Sequence, residues 1–271
     1  MTLMKCVKVQ RREDNFASKI STRIWKEIPD DSNPYIAAEV KCHGYDVLEM
    51  MEKCSFIDTL YLMFKGDLPN KNEAELLEKL MIALINPGPR HPAVRAAMYS
   101  AVSKTHVSHI LPIGLNILSG SYLGAGEIDH CMRFFRKHIK SDPQMVAEKF
   151  LLASRQDEIE IGQVAPGFGS EFGGVDQFTM KIANQLLVAE AAGEVLHWGH
   201  EFSKQLTANN AGWLKTGLAS AVFADLGFQP RAGIGLFQLI SAPGILAHGL
   251  EMVNKPLTAM PFHSDENYTI E

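Results

Sequence analysis

The sequence predicts an all-α protein, and three observations carry that prediction. Runs with apolar positions at a 3.6-residue period recur along most of the chain, bounded by capping residues. Alternating strand–helix units, the mark of a parallel sheet, are absent. Strand character is confined to residues 36–40 in YIAAEVKCHGYDV, where β-branched ends run into the turn-like His43-Gly44-Tyr45.

Taken in order, SFIDTLYLMFKGDLP opens at Ser55 with Asp58 three positions on, a capping-box pattern, and closes at Gly66 and Pro69. NKNEAELLEKLMIALINPGP places Leu76, Leu77, Leu80, Met81, Leu84 and Ile85 on one helical face and stops at Asn86-Pro87-Gly88. SDPQMVAEKFLLAS begins with Ser141, Asp142 and Pro143, an N-terminal signature. TMKIANQLLVAEAAGEVLHWGHEF reads as one long helix. LKTGLASAVFADLGF and PRAGIGLFQLISAPGILAHGLEM follow, split at Gly227 and Pro230.

With 271 residues the chain can build one large or two smaller cores. A net charge of −5 and the lack of a dense Lys/Arg tract argue against a nucleic-acid groove or a membrane-surface patch. No apolar run approaches the roughly 20 residues that a bilayer needs, so no membrane partner is expected. The N-terminal MTLMKCVKVQRRED lacks the apolar core of a secretory signal. Cys6, Cys42, Cys54 and Cys131 have no paired spacing, as expected of reduced thiols in a cytoplasmic protein.

The stretch APGFGSEFGG, residues 165–174, holds four glycines in ten positions. It lacks the Lys-Ser/Thr of a P-loop and misses G-x-G-x-x-G by one residue; GIGLF, at Gly233 and Gly235, fails as well. On spacing alone the stretch is either a tight turn or a loop whose backbone approaches a ligand, and both readings stay open. His197 and His200 sit three apart on a helix without a carboxylate or cysteine cluster, so they read as a satisfied or surface pair and no metal is expected. Ser170 beside Glu171 does not meet the G-x-S-x-G nucleophile elbow.

The order of segments resembles the citrate synthase superfamily, in particular its citryl-CoA lyase and ATP-citrate lyase C-terminal branch, over roughly residues 20–271. HGYDVLEMMEKCSFIDTLYLMFKGDLP (43–69) is similar to the family's R-G-Y-D, S-F-x-E-x-L-Y-L-L and G-x-L-P series. APGFG matches P-G-[FY]-G, LASAVFADLGF the helix after the catalytic aspartate, and GILAHGLE the last core helix. The resemblance implies an all-α homodimer with a large helical domain, residues 1–122 and 218–271, and a smaller one, 123–217. It implies chemistry at a carbon–carbon bond next to a coenzyme A thioester, with a small keto or hydroxy acid as the other partner. It also implies that Val164, Ala165, Pro166, Gly167, Phe168 and Gly169 lie against coenzyme A.

The same resemblance marks substitutions. The family's histidine after P-G-[FY]-G is matched by Ser170, and the histidine of H-G-G-A-x-E by Tyr122 in YLGAGE. The aspartate of N-V-D-G, the base at the thioester α-carbon, is matched by Thr216 in LKTG. One carboxylate-binding arginine is matched by Ser241 and another by Lys181, while His91 in PRHPAV resembles a substrate-binding histidine. A threonine hydroxyl is no base for a carbon acid, and serine cannot replace a bidentate arginine clamp. The expectation is therefore an enzyme acting on a partner less anionic than citrate. Tyr122, Ser170 and Thr216 serve as neutral donors, and Glu171, His43 or His91 handles the proton. A non-catalytic, CoA-binding regulatory homologue is the alternative; an ordinary citryl-CoA lyase or citrate synthase comes third.

Overall fold

The structure, a computed structural model, describes residues 16–156 and 162–269. Cys6 and the N-terminal segment read above for a secretory signal lie outside the described residues. The chain forms two compact units, residues 1–67 and 68–271.

The first unit begins with a three-stranded antiparallel sheet in the order β1 (Trp25–Pro29), β2 (Ala37–Cys42), β3 (Tyr45–Asp46). The strand expectation at 36–40 thus falls on β2, but β1 and β3 were not legible as strands. His43 and Gly44 join β2 to β3 with φ of +47° and +94°, a two-residue hairpin in which both positions need positive φ. Asp46 then caps α1 (Val47–Lys53), accepting from the backbone N–H groups of Leu48 and Glu49. α2 (Phe56–Lys65) carries the expected capping box, Ser55 with Asp58, and ends at Gly66 in the left-handed region.

The second unit contains α3 (Lys71–Leu84), α4 (Pro92–Val102), α5 (Ile110–Leu118), α6 (Ala125–His138), α7 (Pro143–Gln156), α8 (Gln177–Leu187), α9 (Glu194–Leu206), α10 (Lys215–Asp225) and α11 (Pro230–Met252). Its small sheet, in the order β4 (Gln163–Ala165), β5 (Phe168–Gly169), β6 (Gly212–Trp213), was likewise not legible in the sequence. In α3 the periodic face buries Leu76, Leu77, Leu80 and Leu84, whereas Ile85 ends exposed.

Two expectations need correction. The segment 179–202 is not one helix: it breaks between α8 and α9, where Asp225 of α10 accepts from the N–H groups of Gly193, Val195 and Leu196. A carboxylate at a helix start satisfies donors that otherwise have no partner, and this one comes from 30 residues away. The apolar-run expectation also fails at α11. This 23-residue helix is long and apolar enough to cross a membrane by length and composition. Here it packs on α4, α5 and α6 and buries Gly233, Leu236, Phe237, Ile240 and Ile245.

An aromatic core underlies the small sheet. Phe168 lies 4.6 Å from Trp213 and 4.7 Å from Phe202 between ring centroids, and Phe202 stacks on Trp198. Burying rings of this size fixes β5, and with it the glycine loop, on the second unit.

Candidate functional site

The loop around Pro166-Gly167 joins β4 to β5 as a hairpin, with Gly167 at φ +79°. A Cβ on Gly167 would run into the Cα of Gly217, and one on Gly169 into the carbonyl of Gly162. The space these glycines leave is therefore filled by the protein's own backbone. Gly167 also spends both its main-chain groups internally: its N–H donates to Glu127 (2.8 Å), and its carbonyl accepts from the N–H of Leu214 (3.0 Å). Val164 and Pro166, both half-buried, are the loop positions left facing outward, while Ala165, Phe168 and Gly169 are buried.

Glu127, on the first turn of α6, is the residue that organises this region. Only 2% of it is exposed. Its Oε1 accepts from the Gly167 N–H and the Gln163 side chain, and its Oε2 from the Thr216 hydroxyl at 2.7 Å. Burial pushes its pKa up, and these three neutral donors pull against that rise. Sequence reading passed over Glu127 although it closes the quoted YLGAGE. The available signal was its register: Glu127 precedes Cys131, Phe134 and Phe135 by four, seven and eight positions, on the buried stripe of α6.

Beside this knot lies a chamber of about 30 Å³, lined by His91, Glu171, Lys215, Thr216 and Ser241 with Leu84, Leu118, Leu123 and Phe237. An open cleft of about 700 Å³ shares His91, Glu171 and Lys215 with it and adds Arg90 and Asp176. Four expected site residues from distant segments thus meet here: His91, Glu171, Thr216 and Ser241.

Their states differ from expectation. The Thr216 hydrogen goes to Glu127, so toward the chamber Thr216 presents lone pairs rather than a donor. His91 caps α4 through Nδ1, which accepts from the Ala93 N–H, leaving Nε2–H to face the Leu123 carbonyl at 3.2 Å. Burial lowers its pKa, so the ring is a neutral structural link with both nitrogens engaged. Leu123, the acceptor, sits at φ +54°, a position non-glycine residues rarely adopt. Glu171 is half-buried in the wall.

Other expected residues do not line the chamber. The Ser170 hydroxyl donates to the Gly174 carbonyl at 3.1 Å and closes its own turn. Tyr122 is 40% exposed; burial and the charges of Glu171 and Glu127 raise its phenol pKa. Lys181 is exposed on α8. His43 belongs to the first unit, where its Nε2 is buried without a partner among the described residues. Among those residues no group of three His, Cys, Asp or Glu side chains is placed to hold a metal.

No family model and no curated protein matches the chain. Solved structures do. The citryl-CoA lyase of Hydrogenobacter thermophilus superposes with a TM-score of 0.71 at 23% identity, over 93% of this chain and 95% of that one. The chain has the citrate synthase fold. The ATP citrate lyase of Methanothrix soehngenii, solved with citrate and coenzyme A, gives 0.69 at 18% identity over 95% of this chain and 44% of that one. The citrate synthase of Thermoplasma acidophilum, solved with carboxymethyl coenzyme A and oxaloacetate, gives 0.60 at 18% identity over 81% and 58%. Within the citrate synthase fold, this chain carries threonine, serine and a buried glutamate around its chamber.

Proposed function

We propose that this protein makes or breaks a carbon–carbon bond next to a coenzyme A thioester, on a partner less anionic than citrate. The observation that carries the proposal is the carboxylate of Glu127, which touches both Gly167 in the glycine loop and Thr216 in the chamber wall. In this reading α6 supplies the carboxylate that α10 lacks. In the cleavage direction a substrate hydroxyl gives its proton to Thr216 Oγ as the Thr216 proton passes to Glu127 Oε2. The O–H electron pair forms the new carbonyl, the C–C pair passes to the thioester as its enolate, and a solvent proton quenches that carbon. Synthesis runs the same steps backwards. Burial raises the Glu127 pKa above the ordinary carboxylate value, which favours its holding the proton that Thr216 passes on.

Coenzyme A meets the loop at Val164 and Pro166 in this reading, since Gly167 has no free main-chain group. The division into a large helical body (1–122 with 218–271) and a smaller one (123–217), and assembly as a symmetric dimer, are part of the same proposal. The test is a panel of CoA thioesters with keto and hydroxy acids, read by thiol release and by acyl-CoA formation, alongside calorimetry with coenzyme A. Turnover lost on the order of 100-fold in both Glu127→Gln and Thr216→Val is the expected result. Coenzyme A binding with silence across the panel would leave the non-catalytic binding protein instead. Efficient cleavage of citryl-CoA would overturn the substrate assignment.

A further inference from the structure

The charge around the chamber is unusually spare for a site meant to hold an acid. Of its lining residues only Lys215 and Glu171 carry a formal charge, because His91 is held neutral by burial and by its Nδ1 acceptor role. Lys215 is half-buried and lines both chamber and cleft. It makes no hydrogen bond and no ion pair with any described residue, in contrast to the lysines paired at Glu49, Glu75, Glu201 and Glu251. It stands at the start of α10, whose N-cap, Leu214, offers no side-chain acceptor, so the helix end adds to the positive potential there. The one opposite charge lining the chamber, Glu171, makes no ion pair with Lys215, which leaves the ammonium open to an arriving anion.

A second, independent observation points to a ligand. Ser241 is 1% exposed, lines the chamber, and its hydroxyl has no hydrogen-bond partner among the described residues. It is free to donate, while Thr216 is set to accept. The remaining walls are Leu84, Pro87, Leu118, Leu123 and Phe237, which are apolar, and Asn86, whose amide is engaged with His248 and the Gly88 N–H and carries no charge.

We propose that the chamber takes a short monocarboxylic acid with an uncharged body, its carboxylate anchored by Lys215. The inference rests on the reading of the chamber as the acid end of the site. The free volume is two to three times the roughly 10–15 Å³ that one water needs, which suits a fragment of a few heavy atoms. A keto oxygen accepts from Ser241, and a hydroxyl donates to Thr216. A second carboxylate would face Glu171 and leucine side chains with no second cation in the chamber. Arg90 is exposed and lines the cleft alone, and Asp176 is spent on the N–H groups of Phe178 and Thr179 and on the Thr179 hydroxyl.

Three probes with the same four-carbon chain and different charge test this: 2-oxobutanoate, oxaloacetate and butan-2-one, titrated calorimetrically with and without coenzyme A. The wild-type protein is expected to bind 2-oxobutanoate at least about tenfold more tightly than either comparator. Lys215→Met is expected to lose at least about tenfold in that affinity, whereas Lys215→Arg keeps most of it and Arg90→Met changes nothing. Oxaloacetate binding as tightly as 2-oxobutanoate in the wild type would overturn the proposal without any variant. So would the absence of monocarboxylate binding under both conditions, or an unchanged affinity in folded Lys215→Met. Acid binding that needs Lys215 in a protein that fails to bind coenzyme A would sink the thioester reading and leave this one standing.

Discussion

The ten residues 165–174 contain two kinds of glycine. Gly167 and Gly169 sit where an added Cβ would collide with backbone, one against α10 and the other across the β4–β5 hairpin. Gly173 and Gly174 have nothing within 4 Å of an added Cβ, and Phe172 beside them is 78% exposed. The first half is packed from both sides, by Glu127 and by the aromatic core; the second half closes on itself through Ser170. Two adjacent pieces of one glycine-rich motif thus owe their glycines to different causes. In the first the cause is close approach of the protein to itself rather than to a ligand.

The largest expected effect breaks the comparison at its tight end. Gly167→Val adds a β-branched side chain at φ +79° against Gly217, at a cost of about 3 kcal/mol or more, and is expected to yield little folded protein. Denaturant melts that match the wild type would show that α10 can move away. Next comes the acceptor beneath the loop. Glu127→Ala strands the Gly167 N–H, the Gln163 amide and the Thr216 hydroxyl, and is expected to lose about 3 kcal/mol in urea unfolding.

A subtler test uses pH. The Glu127 pKa is raised above its ordinary 4.5 in the folded state, so folding binds a proton between those two values. The stabilisation this gives is complete below 4.5 and lost as pH rises through the folded value. Glu127→Gln, which does not titrate, should therefore become more stable relative to wild type as pH climbs from 4.5. His130, Cys131 and Tyr122 also face Glu127 and are common to both proteins, so the difference isolates the one carboxyl. A pH-independent gap would mean that Glu127 has no raised value. The smallest expected effect lies at the loose end. Gly174→Ala should shift stability by less than about 0.5 kcal/mol, and a large loss there would erase the contrast with Gly169→Ala.

How far the fold was legible depends on where each signal resides. The capping box of α2, the buried face of α3 and the break between α10 and α11 are written within a few consecutive residues, and they appear as read. The α8–α9 break was hidden because its cap, Asp225, belongs to another helix. The two- and three-residue strands β3 to β6 are too short to show a period and exist only through their partners. Of the residues that order and resemblance named, His91, Glu171, Thr216 and Ser241 line one chamber, but the hydrogen bonds of Thr216 and His91 differ from those expected, because a hydroxyl or an imidazole takes its role from what it bonds. Glu127 and Lys215 were absent from the expected set. Both stand one residue from positions that were singled out or inside a quoted motif, so the signal was charge at a place where burial makes charge expensive.

α11 carries a consequence for how the protein is made. Its 23 residues are long and apolar enough to pass for a membrane segment, and α4, α5 and α6 pack against it. Those three helices precede it in the chain and therefore leave the ribosome first. The newborn helix meets a surface already synthesised, and the interval in which a bilayer or another apolar chain could capture it lasts only as long as docking takes.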